Sequence, residues 1–501
     1  MPKGFDVTTR VRYIVGEVGH RRAAEYALRT VLEMIVDPQS VARADSLNEV
    51  RAGEVAVTYG IALYANGSGV CIFASDFFGA EYCTTTSMPT HPVVRVEGIP
   101  ALYHSDGLPS DQFYTVNAGI RETRVDCHVD VVAGSFFMLS RCEEVVSPSV
   151  DQFNRFPAEA SLAWQEGFLQ EAVVNAYAEK LLDMLRAAGF TGERRRWWCG
   201  APWAVALTHD IDGLARFPRK RPPVNAVIRA LKNQQTAGEP GLRVLLSDYV
   251  QTITRGKMDE YDCLSDMATW EASAGIHAAY YFLADSETRG YGADYHVDSA
   301  AGATKVEAVA RLGHEVGFHA GFHAYDKADQ FHAELKRLQS IGVPIYGGRG
   351  HYLRWQTPQT WRLWAEEGLS YDATLGYSKV AGFRCGICLP FHPYDIENDR
   401  EMSISEWPLM FMDATYESSW SEGTMVLSRL SQECQRYGGV LVLLWHNRNW
   451  SKLYAPAVRE HFQEFLQRCV TQGVAVNSIN GLTRLSDATL VDQTRPAMGA
   501  S

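Results

Sequence analysis

The pattern of hydrophobic and polar positions divides the chain into two regions. Near the start, HRRAAEYALRTVLEMIV repeats apolar residues every three or four positions, and so does LQEAVVNAYAEKLLDMLRAAG, which ends at Gly189. This spacing predicts amphipathic helices, and the glycine is a normal helix stop. Short β-like runs such as VAVTYGIALYA and VDVVAGSFFMLS lie between the two helices. Residues 1–195 are therefore predicted to form a separate α/β or α+β domain.

After residue 200, strand-like and helix-like stretches alternate. The predicted strands are WAVALTH, HAAYYFLA, HEVGFH, VPIYGGR, LSYDATL, SISEWPL, GGVLVLLWH and GVAVNS, and helical stretches such as KADQFHAELKRLQSIG and TPQTWRLWAEEG separate several of them. Such alternation over ~300 residues is typical of a parallel sheet or barrel. In these folds the active site forms where the carboxyl ends of the strands open into loops.

The composition limits the classes of partner. The chain has 501 residues, a formal net charge of −12 and a pI near 5.7. A nucleic-acid backbone or an anionic membrane surface would require a basic patch, so the charge favours a neutral or cationic substrate. No apolar run is long enough to span a membrane, and the first residues lack the apolar core of a signal peptide. These features, with ten cysteines in no framework spacing, predict a soluble, cytoplasmic protein.

Two acidic residues stand at the end of the first predicted strand of the second region. Asp210 and Asp212 follow the apolar run AVALT and are two residues apart. If the run is a strand, both side chains project from the same face at its carboxyl end. Carboxylates crowded in this way repel each other unless a metal, a shared proton or a cation relieves them. The pair therefore indicates a functional site.

A histidine pair supplies candidate partners for these acids. His319 and His323 are four residues apart in HEVGFHAGFH, where one helical turn or a tight loop would bring both imidazoles to one side. Such a pair alone is more often structural than metal-binding. Together with an upstream carboxylate, however, two imidazoles form the three-ligand set of a catalytic zinc site.

Three motifs in this order resemble those of the polysaccharide deacetylases, carbohydrate esterase family 4. LTHDIDG resembles their first motif, usually T-F-D-D-G, and GHEVGFHAGFH resembles their second, G-H-E-[IV]-G-N-H-[ST]-x-x-H. GGVLVLLWHN resembles the apolar strand that finishes in a histidine near the end of their domain. The resemblance spans residues 203–447 and implies an irregular (β/α) barrel over residues 200–490.

The whole chain is also similar to a subgroup of this family in which a domain of unknown function precedes the barrel. The stretches that carry this similarity are DVVAGSFFMLSRCEE, DQFNRFPAEASLAWQEGFLQEAVVNAYAEKLLDML, GGRGHYLRW, GFRCG and LMFMDATY. The similarity implies a shared architecture and assigns no chemical role to residues 1–195.

The resemblance implies a role for each matching residue. Asp212, His319 and His323 would hold one divalent transition metal, while Asp210 would act as general base and His446 as general acid. Zinc is the expected metal, with cobalt, manganese and nickel as alternatives, because ligand type alone does not decide occupancy. Ile211 separates two aspartates that are adjacent in the family, so the division of roles between the acids stays open.

Four further residues receive supporting roles. Arg349 begins RGHY, which stands where the family has R-x-P-Y, and it is expected to orient Asp210. Arg384 would contact substrate from an inserted loop, Asp372 would support the catalytic histidine, and Trp445 would wall the acyl pocket. Structural alternatives stay open, namely a salt bridge for either arginine and a core position for the tryptophan.

Several histidines are interpreted as structural. They are His209, His314, His351 and His392, and His209 is expected to point to the strand face opposite both aspartates.

The function implied is removal of an N-acyl group, most simply acetyl, from an amino sugar or a glycan by metal-dependent hydrolysis. Hydrolysis of a non-sugar amide on the same centre is one alternative. The other is a catalytically silent protein that binds or assembles glycans. The presence of all the expected acids, bases and ligands favours turnover over the silent alternative.

Overall fold

The structure, a computed structural model, describes residues 9–62, 68–105, 111–119, 122–215, 224, 227–228, 242–255, 262–415, 420–452 and 456–493. The chain divides into two compact units. Unit 1 contains Met1–Asp151, Phe156–Trp197 and Phe383–Ser405, and unit 2 contains Gln152–Arg155, Trp198–Gly382 and Glu406–Ser501. The chain passes between units at residues 197–198, close to the predicted boundary. The predicted second domain was continuous, whereas residues 383–405 group with unit 1.

Unit 1 is an α/β domain built on a mainly parallel sheet. Its strands are β1 (Arg10–Val15), β2 (Val41–Arg43), β3 (Glu54–Tyr59), β4 (Gly69–Ile72), β5 (Val94–Val96), β6 (Ile99–Ala101), β7 (Tyr114–Ala118) and β8 (Thr123–Cys127). Six of them form the sheet β2-β1-β3-β4-β8-β7, in which the edge pair β7–β8 is antiparallel, while β5 and β6 form a hairpin. This order is typical of a doubly wound fold.

The helices of unit 1 are α1 (Arg21–Ile35), α2 (Val131–Leu139), α3 (Cys142–Val146), α4 (Leu162–Gln165) and α5 (Val173–Ala187). Both amphipathic helices predicted from apolar spacing are confirmed as α1 and α5, and Gly189, with a φ of +100°, ends the second. The β-like interpretation of VDVVAGSFFMLS was wrong, because this run forms α2. Every residue of α2 is buried, so its sequence lacks the polar positions that distinguish a helix from a strand.

Unit 2 is an α/β domain built on a curled parallel sheet, as the alternating pattern predicted. Strands are numbered in chain order. The short strands β14 (Tyr394–Asp395) and β15 (Arg400–Glu401) belong to unit 1, although their numbers fall among those of unit 2. The strands of the curled sheet are β9 (Ala204–Ile211), β10 (Ala279–Leu283), β11 (Glu315–Ala320), β12 (Gly347–Gly350), β13 (Tyr371–Asp372), β16 (Ser405–Glu406), β17 (Phe411–Met412), β18 (Val440–Leu444) and β19 (Ala475–Asn477). Their order is β16-β13-β12-β11-β10-β9-β18-β17, and β19 pairs with β9.

Helices alternate with these strands. They are α6 (Leu242–Arg255), α7 (Leu264–Ser273), α8 (Ala300–Arg311), α9 (Ala328–Gln339), α10 (Gln359–Glu366), α11 (Trp420–Arg436), α12 (Pro456–Thr471) and α13 (Ile479–Gln493). Within the described ranges, no helix is both long and apolar enough to cross a membrane.

Buried ion pairs hold residues 383–405 in unit 1. Arg384 donates from Nε and Nη2 to the two oxygens of Glu144, each at 2.8 Å, and Arg141 donates to the same carboxylate at 2.8 Å. Burial raises the pKa of Glu144, but the charges of Arg384 and Arg141 outweigh burial and lower this pKa to about 2. The salt-bridge alternative therefore fits these contacts of Arg384, and its substrate role stays a prediction.

Replacing Arg384 tests this interpretation. Arg384→Ala removes one of the two guanidiniums that neutralise a buried carboxylate, so we expect it to lower the free energy of unfolding by about 3 kcal/mol. The urea midpoint of unit 1 measures the change. The exposed Arg400 of the same segment is the control, and Arg400→Ala should cost less than about 0.5 kcal/mol. Equal midpoints for the two variants would contradict a structural role for Arg384.

Candidate metal and catalytic site

The register of the parallel strands brings the candidate residues to one face of the sheet. Tyr281 on β10 lies opposite Asp210 on β9. His319 on β11 lies opposite Leu283 on β10 on one side and opposite Arg349 on β12 on the other. Side chains alternate along a strand, so all five residues point to the same face. This face becomes the inside of the curl, where Arg349 is fully buried.

Gly317 leaves room for the Tyr281 side chain on this face of the sheet. Its neighbour across β10 and β11 is Tyr281, and a Cβ atom at residue 317 would overlap the tyrosine ring. The Arg349 guanidinium lies 5.1 Å from the centre of the same ring. The glycine therefore leaves space for the ring that supports the arginine.

Asp212, His319 and His351 form a candidate metal site at the carboxyl ends of neighbouring strands. The Oδ1 atom of Asp212 lies 3.2 Å from His319 Nε2 and 3.5 Å from His351 Nε2, and the candidate ligand atoms all lie within 4.8 Å of one another. Asp212 follows β9 and His351 follows β12, while His319 lies near the end of β11. Both imidazoles are buried, whereas the Asp212 side chain is 35% exposed.

The chemistry of these donors fits a divalent transition metal. Two imidazoles and one carboxylate are typical ligands of such an ion. The Nδ1 atom of His319 lies 2.9 Å from the Arg349 carbonyl oxygen, so this nitrogen donates and Nε2 is left to face Asp212. A ligand histidine is commonly oriented by this kind of contact.

The electrostatics of Asp212 and His351 agree with this fit. Burial opposes ionisation of Asp212, but the hydrogen bond from His319 and the charges of the surrounding imidazoles outweigh it and hold the pKa of Asp212 well below its ordinary value. Burial is also the largest influence on His351 and lowers its pKa to about 4. An ionised carboxylate and a neutral imidazole are the protonation states that metal binding requires. Burial lowers the pKa of His319, but the charges of Asp210 and Asp212 outweigh burial and raise this pKa, so a metal would have to displace the ring proton.

His351, and not His323, completes the cluster. The prediction from the HxxxH spacing assumed a helical turn or a loop that brings both rings to one side. Instead β11 ends at Ala320, and His323 stands at the start of a 3-10 turn with its ring against Phe322. His351 had been interpreted as structural, yet it follows β12, the strand paired with β11.

Asp210 is held by a buried arginine. Arg349 Nη1 donates to Asp210 Oδ1 at 2.8 Å and to Thr208 Oγ1 at 3.0 Å, and its Nε donates to the Ala373 carbonyl at 2.8 Å. Asp210 Oδ2 lies 3.8 Å from His319 Nε2. The geometry agrees with the expectation that Arg349 orients Asp210, and it directs the second carboxylate oxygen toward the cluster.

His446 forms a dyad with Asp413. The Nδ1 atom of the ring lies 2.7 Å from Asp413 Oδ1, while the backbone N–H of His446 and the Asn449 amide donate to Oδ2 at 2.7 Å and 2.6 Å. Burial favours a neutral ring, but the charge of Asp413 and its hydrogen bond outweigh burial and raise the pKa of His446 to about 9. The other ring nitrogen, Nε2, lies 3.7 Å from Asp212 Oδ2. A protonated imidazole therefore faces the cluster.

Two supporting predictions differ from the structure. Asp372 does not contact His446, because its carboxylate accepts hydrogen bonds from the backbone and hydroxyl of Thr374 at 2.9 Å and 2.6 Å. Asp413, in the quoted stretch LMFMDATY, takes the expected place. Trp445 is buried and stacks on Phe462, with ring centres 4.1 Å apart, so the core alternative applies to it.

His209 behaves as predicted. It lies on the opposite strand face, where its ring nitrogens contact the Trp445 carbonyl oxygen at 2.7 Å and Glu271 at 2.9 Å. These contacts satisfy the ring, and it takes no part in the cluster.

A cavity of about 500 Å³ opens over the cluster. Its lining combines the acids and imidazoles with an aromatic wall and three cationic side chains. The acids and imidazoles are Asp210, Asp212, His319, His351 and His446, the aromatic wall is Phe153, Tyr291 and Tyr352, and the cations are Arg155, Lys379 and Arg448.

The aromatic wall is assembled from separate segments of unit 2. Tyr291 stacks on Phe322 with ring centres 3.9 Å apart, and Tyr352 meets Tyr291 edge-on at 5.5 Å. Phe153 packs against Tyr352 at 5.2 Å. No pattern in the sequence joins residues so far apart along the chain, so the wall was not predicted.

The loop that carries His351 and Tyr352 has an unusual backbone. Tyr352 and Leu353 adopt φ values of +61° and +53°, a region that side chains other than glycine rarely occupy. Hydrogen bonds hold the loop, from Arg155 Nη1 to the Tyr352 carbonyl at 2.6 Å and from Arg354 Nε to the Phe153 carbonyl at 2.9 Å. Strain of this kind is often found at functional sites.

Comparisons with known proteins identify no function. Residues 14–189 match the model of a family of unknown function, DUF7033. No curated protein matches the chain. The match agrees with the expectation of an N-terminal domain without a known role.

Among solved structures, the allantoinase Puue is 14% identical over 60% of this chain and 95% of its own, with a TM-score of 0.38. A probable polysaccharide deacetylase from Pseudomonas aeruginosa PAO1 is 14% identical over 59% of this chain and 95% of its own, with a TM-score of 0.38. At these values the similarities do not establish an activity for this chain.

Metal content tests the ligand set. His351→Ala should bind far less metal than the wild type, because it removes one of three ligands, and His319→Ala and Asp212→Ala should behave in the same way. Elemental analysis after incubation with zinc or cobalt should find about one equivalent in the wild type. His323→Ala is the matched control and should keep the wild-type content. Loss of metal from His323→Ala, with retention by His351→Ala, would restore the original ligand prediction.

The titration of His446 tests the dyad. Because Asp413 raises the pKa of His446 to about 9, Asp413→Asn should lower that pKa and leave the ring neutral at a lower pH. NMR of ¹³C-labelled histidine follows the titration directly. Asp372→Asn is the control suggested by the original prediction and should leave the His446 titration in place. A shift caused by Asp372→Asn and not by Asp413→Asn would contradict the dyad.

Proposed function

We propose that unit 2 is a metal-dependent hydrolase that removes an N-acyl group, most simply acetyl, from an amino sugar or a glycan. One observation carries the proposal: a three-ligand cluster, an arginine-held carboxylate and the imidazole of the His446–Asp413 dyad face one cavity. These are the parts that amide hydrolysis needs, namely a place for an electrophilic ion, a base for water and an acid for the departing amine.

Asp210 is the proposed general base. Arg349 occupies its Oδ1 atom, which leaves Oδ2 to accept a proton from a water molecule. As that proton moves to Asp210, the water oxygen forms a bond with the acyl carbon. The buried arginine keeps the carboxylate in one orientation throughout. A base held in this way loses little freedom when it acts.

His446 is the proposed general acid. Its Nδ1–H donates to Asp413, so the proton on Nε2 is the one available for transfer. When the carbon–nitrogen bond breaks, this proton moves to the amine nitrogen, and the products are a carboxylic acid and a free amine. A pKa raised to about 9 keeps the ring protonated at neutral pH, as an acid at this position requires.

Asp212, His319 and His351 would hold the metal. A divalent transition metal there would supply Lewis acidity, polarising the acyl oxygen and making water more acidic. The metal's identity is a proposal too, with zinc first because the donors are two imidazoles and one carboxylate.

The aromatic wall favours a sugar as the part of the substrate that bears the acyl group. Phe153, Tyr291 and Tyr352 present aromatic surface to the cavity that contains the acids and imidazoles. A sugar ring has an apolar face of C–H groups that packs on such a surface, while its hydroxyls remain free for hydrogen bonds. The wall would thus position the ring and leave its acylated nitrogen near His446.

Acetate release from N-acetylated sugars tests the proposed function. Asp210→Asn should lower kcat/KM by at least about 100-fold, because it removes the base. Its metal content should match the wild type, since Asp210 is not one of the three ligands. Asp329→Asn, an exposed acid on α9, is the control and should leave both quantities unchanged.

Two outcomes would contradict the proposed substrate or activity, and a third would revise the roles of the two acids. Metal-loaded wild type that binds N-acetylated sugars without releasing acetate would identify the silent glycan-binding alternative. Release of ammonia or another amine from a non-sugar amide, with no action on sugars, would identify the other alternative. Metal loss from Asp210→Asn but not from Asp212→Asn would reverse the roles of the two acids.

A further inference from the structure

Three cationic side chains from separate segments meet at the catalytic cavity. Arg155 comes from the segment 152–155, Lys379 from the loop after β13, and Arg448 from the turn after β18. The segments are far apart along the chain, so the convergence results from the fold of unit 2. Three positive charges, beside the carboxylates of Asp210 and Asp212, therefore line a cavity in a protein whose net charge is −12.

The acids of the cavity do not balance these cations. Asp210 already has a buried partner, since Arg349 lies 2.8 Å from it and does not itself line the cavity. Asp212 faces the candidate metal position, where its charge is directed at His319 and His351. The lining carries three cations and two carboxylates. Behind it lie the Arg349 guanidinium, paired with Asp210, and the Asp413 carboxylate, paired with His446. A divalent metal would make the cavity more positive still.

Two of the cations differ in how they are held. Arg155 is nearly buried, donates to the Tyr352 carbonyl at 2.6 Å and lies 4.9 Å from the centre of the Phe153 ring. These contacts fix its position against the aromatic wall. Lys379 is exposed and forms no ion pair or hydrogen bond with any residue in the described parts of the chain. Lys379 is therefore the lining cation with which an anionic group of a ligand could pair directly.

We infer that the substrate of this site carries an anionic group, a phosphate or a carboxylate, on or beside its N-acylated sugar. The inference rests on the proposed function and adds the charge of the substrate to it. Arginine and lysine side chains are the usual partners of both anions. The inference departs from the expectation of a neutral or cationic substrate, which came from the net charge of the whole chain.

Binding can be measured apart from turnover. The metal-loaded Asp210→Asn variant, which retains its ligands, would be titrated by calorimetry with three compounds: N-acetylglucosamine, N-acetylglucosamine 1-phosphate and N-acetylmuramic acid. The first is neutral, the second carries a phosphate and the third carries a carboxylate. We expect at least one acidic sugar to bind more tightly than the neutral one, and the stronger of the two identifies the anion. The preference should weaken as ionic strength rises, because salt screens exposed charges.

Substitution of Lys379 tests whether the lining cations cause the preference for acidic sugars. In the Asp210→Asn background, Lys379→Gln should reduce the preference for the acidic sugar by about fivefold, and Lys379→Glu should reduce it further. Lys336→Gln, at an exposed lysine on α9, is the matched control and should leave the preference unchanged. Metal content of each variant verifies that the site remains folded.

The outcomes separate the inference from the proposed function. Equal binding of neutral and acidic sugars, or tighter binding of the neutral one, would overturn the inference. A preference for acidic sugars that Lys379→Gln and Lys379→Glu leave unchanged would overturn it as well, because the metal alone would then account for the preference. Tight, Lys379-dependent binding of an acidic sugar that the wild type does not hydrolyse would support anion recognition and count against the hydrolase.

Discussion

The site in unit 2 depends on the compensation of two neighbouring negative charges, those of Asp210 and Asp212. Asp210 and Asp212 leave the end of β9 on the same face, and the sheet has to supply positive charge or hydrogen-bond donors at that point. It does so on two sides. Arg349 reaches Asp210 from β12 at 2.8 Å, and three imidazoles surround Asp212 within 3.7 Å. Removing Arg349 would leave Asp210 poorly compensated in a buried setting, at a cost of several kcal/mol. Asp212 would lose less without its imidazoles, because its side chain is 35% exposed and water screens its charge.

This constraint explains features that look unrelated in the sequence. Inside the curl, the Arg349 guanidinium lies 5.1 Å from the centre of the Tyr281 ring, and this ring fits because residue 317 has no side chain. The same arginine's carbonyl oxygen accepts from His319, so one residue orients the proposed base through its side chain and a metal ligand through its backbone. Replacing it would therefore disturb both halves of the site together.

The sequence predicted the parts of the site that depend on strand geometry. Alternation along β9 put both acids on one face and His209 on the other, and apolar runs ending in histidine located His319 and His446. What it could not predict depends on contacts between loops. His351 replaced His323 because β11 stops at Ala320 and does not continue into a helix, which no spacing rule reveals. Asp413 replaced Asp372 because β17, a strand of two residues, pairs with β18 and brings the acid beside His446.

The net charge of the whole chain does not determine the charge of the cavity, for a similar reason. A sum over the whole chain measures the average surface, whereas a binding site depends on the few side chains that converge on it. The chain is acidic, yet Arg155, Lys379 and Arg448 reach the cavity from three different loops. Since loops are positioned by the scaffold that carries them, the local sign of the charge follows from the fold. If the substrate is anionic as inferred, the negative net charge of the chain would repel it elsewhere, and the lining cations would favour its binding at the cavity.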